Sequence, residues 1–194
     1  MGMQTYLGEL WKQPKENLGP VWREHLMAWR REPATLRLEH PTRIDRARSL
    51  GFRAKQGIFV VRQRVAAGGH KRPDFDGGRH STNFRTTMIL TKNYRLIAEE
   101  RANKHFPNCE VLNSYYVGGD SKHYWYEVIF VDRAHPAVRA DKRISWMTNP
   151  VQRGRVYRGR TSAGRKIRGL RHKGKGAENI RPSKDAHNNL GRAH

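Results

Sequence analysis

This chain of 194 residues is short of sulfur, of long apolar runs and of acidic side chains, and each shortage excludes a class of protein. A single cysteine, Cys109, leaves no internal disulfide framework and no cysteine-rich zinc site, so its expected role is packing. No apolar run approaches the roughly 20 residues that a membrane helix needs. The beginning, MGMQTYLGELW, lacks a basic region followed by an apolar stretch and a small-residue cleavage site, so no secretory signal is read there and a cytoplasmic location is expected. Asp and Glu number 17 against 39 Lys and Arg, a formal net charge of +22. Folding requires no such imbalance, and self-repulsion on this scale opposes a compact state. A polyanion that neutralises the charge is the expected partner, nucleic acid above all, with an anionic membrane surface the weaker alternative.

The positive charge is concentrated where core elements are also expected. In Pro41–Val65 the pattern predicts a short helix: Thr42 stands at a cap position with Asp45 three residues on, and Ile44, Ala47 and Leu50 share one face. Arg43, Arg46 and Arg48 point elsewhere, and Gly51 stands where a left-handed terminus costs least. After the basic link that carries Arg53 and Lys55, Ile58-Phe59-Val60-Val61 reads as a buried strand running into Arg62 and Arg64. Asp45 is the only acid in the stretch, whereas an ordinary surface mixes signs.

Ahead of this stretch, helices are predicted over Thr5–Trp11 and Val21–Arg31, the second with Pro20 in its first turn and an aromatic packing stripe of Trp22, His25 and Trp29. Thr35–Glu39 alternates as a strand. Residues 66–90 are Gly-rich and poor in apolar side chains, which predicts a long basic loop that needs a partner for order. A helix is expected over Lys92–His105, capped by Thr91 and presenting Glu99-Glu100 as its acidic patch. Glu110–Val117 and His123–Val131 read as a hairpin around Gly118-Gly119-Asp120-Ser121. Ile144, Trp146 and Met147 are expected to pack back onto the sheet. The order strand-helix-strand-helix-strand-strand predicts an α+β fold, a mixed four-stranded sheet with packed helices. Three regions follow: an N-terminal helical extension over 1–33, a core over 34–148, and a basic arm over 149–194 that should be disordered alone.

Chemistry was sought and found weakly supported. His123, Asp132 and His135 could suggest a metal, but nothing in their spacing selects one, and Asp132 reads as the cap of the following segment. Gly68-Gly69 and Gly174-Lys175-Gly176 lack the phosphate-loop pattern. No enzyme and no cofactor are expected.

Six segments, RREP from Arg30, PTRIDRARSLGFRAKQG from Pro41, IAEERA from Ile97, VLNSYYVG from Val111, YEVIFVD from Tyr126 and RGRTSAGRKIRGLR from Arg158, resemble the archaeal and eukaryotic large-subunit ribosomal protein family L15e. HPAV from His135 and GKG from Gly174 look like its archaeal branch. The resemblance implies an α+β core with arms buried in ribosomal RNA, neighbouring ribosomal proteins as further partners, and no catalysis, metal or small-molecule substrate. One departure is visible: after Gly69 the family carries a dense basic run, which Asp74 and Asp76 interrupt here.

The expected RNA contacts fall in three groups. Arg43, Arg46, Arg48, Arg53, Lys55, Arg62 and Arg64 would act from the core, and Lys71, Arg72 and Arg79 from the thinned loop. Arg153, Arg155, Arg158, Arg160, Arg165, Lys166, Arg168, Arg171, Lys173 and Lys175 would act from the arm, using guanidinium forks and ammonium point charges on phosphates. Composition alone leaves open a DNA-compacting architectural protein, although no DNA-reading motif appears. An RNA-modifying enzyme would need a pocket with converging polar groups.

Overall fold

The computed structural model describes residues 2–71, 77–78, 87–88, 90–172, 174 and 178–180. Helices α1 (Met3–Leu10), α2 (Pro14–Asn17) and α3 (Pro20–Arg31) lead into strand β1 (Thr35–Leu38), helix α4 (Ile44–Ser49) and strand β2 (Ile58–Ala66). Two short strands follow, β3 (His70–Lys71) and β4 (Thr87–Met88), and then helix α5 (Tyr94–His105) and the long strands β5 (Cys109–Gly119) and β6 (His123–Asp132). Helix α6 (Pro136–Ala140), two 3-10 turns (Ser145–Thr148 and Pro150–Gln152) and helix α7 (Ser162–Ile167) complete the main body.

The main sheet runs β1-β2-β6-β5 and is antiparallel at every pairing rather than mixed. Helix length explains the difference. A helix of six residues spans only about 9 Å, so α4 cannot carry the chain back along a strand of nine residues, about 30 Å long, and the link becomes a wide turn. By contrast, α5 has 12 residues and does cross. It joins β2 to β5, which run in the same direction on either side of β6, a split βαβ arrangement.

Both faces of the sheet are covered, which is why β6 is buried from Trp125 through Val131 with no polar-outward alternation. Val60, Trp125, Ile129 and Val131 face one core with Trp11, Trp22, Trp29, Ala47, Phe52 and Met147. The tryptophan stripe of α3, a packing face that the sequence leaves open to core or RNA, packs inward, Trp22 lying edge-on between Trp11 and Trp29. Val61, Val128 and Phe130 face a second core with Leu96, Ala102, Val156 and Ala163. Cys109 belongs to that second core, where burial pushes its thiol up to about 11, consistent with packing rather than nucleophilic work.

The α4 terminus is an expected feature that holds in detail. Gly51 adopts φ +102, Phe52 N–H donates to the Ala47 carbonyl at 2.9 Å and Gly51 N–H to the Arg48 carbonyl at 3.1 Å, a Schellman closure that sends Phe52 into the core. The starts of helices differ from expectation. Arg43, not Thr42, occupies the cap position of α4; the Thr42 hydroxyl accepts from Arg62 and its amide donates to a buried carboxylate described below. Asn93, not Thr91, caps α5 through Oδ1 to the Leu96 amide. His135 Nδ1 caps α6, while Asp132 accepts from the Ala134 amide instead. Pro14 opens the short α2 rather than separating two helices. The ends of the 66–90 loop pair as β3 and β4, and Arg72 and Arg79 lie outside the described residues.

Candidate nucleic-acid interface

The segment 41–57 is tied to the sheet by Glu127, a fully buried residue of β6. Its carboxylate accepts from the Tyr115 hydroxyl and from the Thr42 amide at 3.2 and 3.3 Å. Directly across the ladder stands Arg62, whose guanidinium donates to Glu32 Oε2 at 2.6 Å and to Thr42 Oγ1 at 3.4 Å and sits 5.0 Å from the Trp29 ring. Burial raises the Glu127 carboxyl above the usual range, against the lowering effects of Thr42, Tyr115 and Arg62. Arg62 is therefore an interior cation engaged with protein, and its place among the RNA contacts is corrected accordingly. Charge alone could not reveal this, since the acid that faces it lies 65 residues away in the sequence.

The C-terminal arm is tied by Glu99, on the other face of the sheet. Far from forming an acidic surface patch, Glu99 is fully buried, accepting from the Ser114 hydroxyl and, at 2.6 Å, from the Thr161 hydroxyl. Burial raises its carboxyl, again against the lowering effect of those hydroxyls and of Arg95. Thr161 simultaneously caps α7 through the Gly164 amide. A second tie joins the Gly154 amide to Glu110 Oε1 at 2.8 Å. Residues 150–171 are consequently folded onto α5 and β5. Val156 and Ala163 pack into the second core, and the backbone closes tightly beside them: a Cβ on Gly164 would lie 2.5 Å from the Gly159 Cα, so Gly164 excludes a side chain, while Gly159 adopts φ +60.

On this frame the expected contacts separate by exposure. Arg46, Arg48, Arg53, Lys55 and Lys71 are exposed, as are Arg153, Arg158, Arg160, Arg165, Lys166 and Arg171. Arg43 is half-buried between Asp45 at 3.3 Å and the Trp11 ring at 5.1 Å; Arg64 donates to the Arg30 carbonyl, and Arg168 is half-buried. Arg155 is interior, like Arg62, with Nη1 on the Val111 carbonyl at 3.3 Å and on Met147 Sδ at 2.9 Å. Lys173 and Lys175 lie outside the described residues. Exposed cations absent from the expected set include Arg139, Lys142 and Arg143, on α6 and the turn that follows it.

Eight of the acids are buried or paired. Glu99, Glu110 and Glu127 are buried, and Glu32, Asp45, Glu100, Asp120 and Asp141 form ion pairs. In the arm, guanidinium groups instead brace carbonyls: Arg158 reaches those of Val151 and Arg153, and Arg160 that of Val151 at 3.0 Å. A carbonyl satisfies a donor without cancelling its charge, so these side chains are ordered and still cationic. Among the described residues, no group of three or more His, Cys, Asp or Glu could hold a metal ion.

Comparison with known proteins agrees with this arrangement. The family described as Ribosomal L15 matches residues 2–187. The large ribosomal subunit protein eL15 of the archaeon Methanocella arvoryzae is 47% identical over 190 residues, covering 97% of each chain. Its counterpart from Picrophilus torridus is 49% identical over 190 residues, again covering 97% of each. With a match over nearly its whole length, the chain belongs to the ribosomal protein L15e family.

Proposed function

We propose that this protein, a structural component of the large ribosomal subunit, binds ribosomal RNA and neutralises its phosphates where RNA segments pack against one another. The observation that carries the proposal is the state of Arg158 and Arg160, whose guanidinium groups are held in place by the carbonyls of Val151 and Arg153. Packing RNA helices together is opposed by phosphate repulsion, and guanidinium groups fixed on a folded support relieve it without first losing much side-chain entropy. Recognition would rest on backbone and shape, since an A-form helix hides its base edges in a deep major groove. Neighbouring ribosomal proteins are the remaining partners on this proposal.

The test is sedimentation of the native protein from a lysate through a density gradient, before and after a high-salt wash. Migration with the large subunit that survives the wash is expected. Sedimentation with the chromosome would favour a DNA-compacting role instead.

A further inference from the structure

Beside the exposed end of α4 lies a cavity of about 500 Å³, within the roughly 300–1,000 Å³ usual for ligand sites. Its aliphatic wall is Leu50, Leu112 and Ile144, and its aromatic wall is Trp146. We propose that this cavity seats one unpaired RNA nucleotide, the base stacked on Trp146 and the adjoining phosphates on Arg53 and Arg143. The proposal rests on the RNA-binding function above and adds a site and a class of RNA to it.

Trp146 is 43% exposed, in a protein whose other four tryptophans are buried. It is also held still. Its Nε1–H donates to the Arg143 carbonyl at 3.0 Å, and the buried Arg155 guanidinium lies 4.8 Å from the ring centroid. With one face covered from inside and one edge fixed, the indole is a prepared platform rather than a loose surface side chain, so a base stacking on it loses little to ordering. The mouth is cationic. Asp141, which also lines the cavity, is paired with Lys55 at 2.7 Å and shares its field with Arg143, so three cations face one acid, and among the described residues Arg53 and Arg143 form no ion pair of their own. An apolar slot flanked by two guanidinium groups suits a flat ring attached to phosphate. An apolar peptide would leave both cations desolvated without a partner. The nucleotide must be unpaired, because a base inside an A-form duplex is stacked on both faces and cannot enter a hollow.

The experiment compares the full-length parent with Trp146→Leu, Trp146→Phe and Arg143→Gln. Each is titrated with a single-stranded oligo(U), a single-stranded oligo(A) and a hairpin duplex of similar length, with binding read by anisotropy. Trp146→Leu keeps an apolar side chain but removes the stacking face, and should weaken single-strand binding roughly 5- to 150-fold, the range of one base stacked on an aromatic ring. Trp146→Phe should retain most of the affinity, and duplex binding should be unchanged in both. Arg143→Gln is an exposed change that spares the core; it should weaken single-strand binding and lower its salt slope by about 0.7. Unaltered single-strand affinity in Trp146→Leu and Arg143→Gln, with duplex binding intact, would overturn the nucleotide seat and assign Trp146 to a protein neighbour, leaving the RNA-binding function standing. Failure of the parent to bind any of these RNAs would overturn both.

Discussion

Two cationic segments leave opposite faces of one sheet, each anchored by a buried glutamate, yet they manage charge differently. Around α4 two of the cations have acidic partners: Arg43 meets Asp45 and Lys55 meets Asp141. In the arm, Arg158 and Arg160 rest on carbonyl oxygens. A carboxylate partner must be displaced or shared before a phosphate gains the full charge, whereas a carbonyl partner costs the incoming phosphate nothing electrostatically. At these four side chains the arm leaves its cations the more available, even though the sequence pattern placed the segment around α4 at the centre of the protein.

The comparison can be broken most severely at Glu127. Glu127→Ala leaves the Tyr115 hydroxyl and the Thr42 amide without their buried acceptor, and should cost about 3–5 kcal/mol, seen as a lower urea midpoint for the whole protein. The corresponding cut on the other face is milder and local. Thr161→Val removes the cap of α7 and one donor to Glu99, a loss of about 1–3 kcal/mol. Hydrogen exchange should then accelerate in residues 150–171 while β5 and β6 keep their protection; uniform acceleration would mean that the arm and the core are one unit.

Titration sharpens the contrast further. The Glu99 carboxyl is raised in the folded protein above its ordinary value of 4.5, so the folded state holds a proton that the unfolded chain has lost. Its contribution is complete below about pH 4.5 and declines as pH rises through the folded value, so stability falls with pH across that window. Glu99→Gln should flatten this part of the stability profile measured by denaturant unfolding, and an unchanged slope would contradict the assignment. The smallest effect concerns salt. Arg165→Gln together with Lys166→Gln should reduce the salt slope of RNA binding by roughly 0.7–0.9 per lost phosphate contact, and Lys55→Gln by less, because Lys55 already has Asp141. Equal reductions per charge would erase the proposed difference between the two segments.

What the sequence made legible was local. The Gly51 terminus, the β5–β6 hairpin and the tryptophan stripe of α3 follow from turn chemistry and periodicity acting over a few residues. What it hid was pairing at a distance. Glu99 beside Glu100 looks like a solvated patch until Ser114 and Thr161 are brought to it, and Arg62 looks like a free cation until Glu32 and Glu127 are. The arm was hidden for another reason. Hydropathy measures side chains, and Gly159 against Gly164 makes its contact with none. A low apolar content therefore gave no sign of a segment that sets Val156 and Ala163 into the second core and brings two glycines together beside them.

The Glu99–Thr161 bond joins positions 62 residues apart, so the cap of α7 and the far face of the sheet share one side chain. The same threonine that accepts from the Gly164 amide at the start of α7 donates to the carboxyl buried under α5. A change that moves Glu99 is therefore felt at the first turn of α7, and the orientation of Arg165 and Lys166 on that helix is coupled to the interior of the sheet.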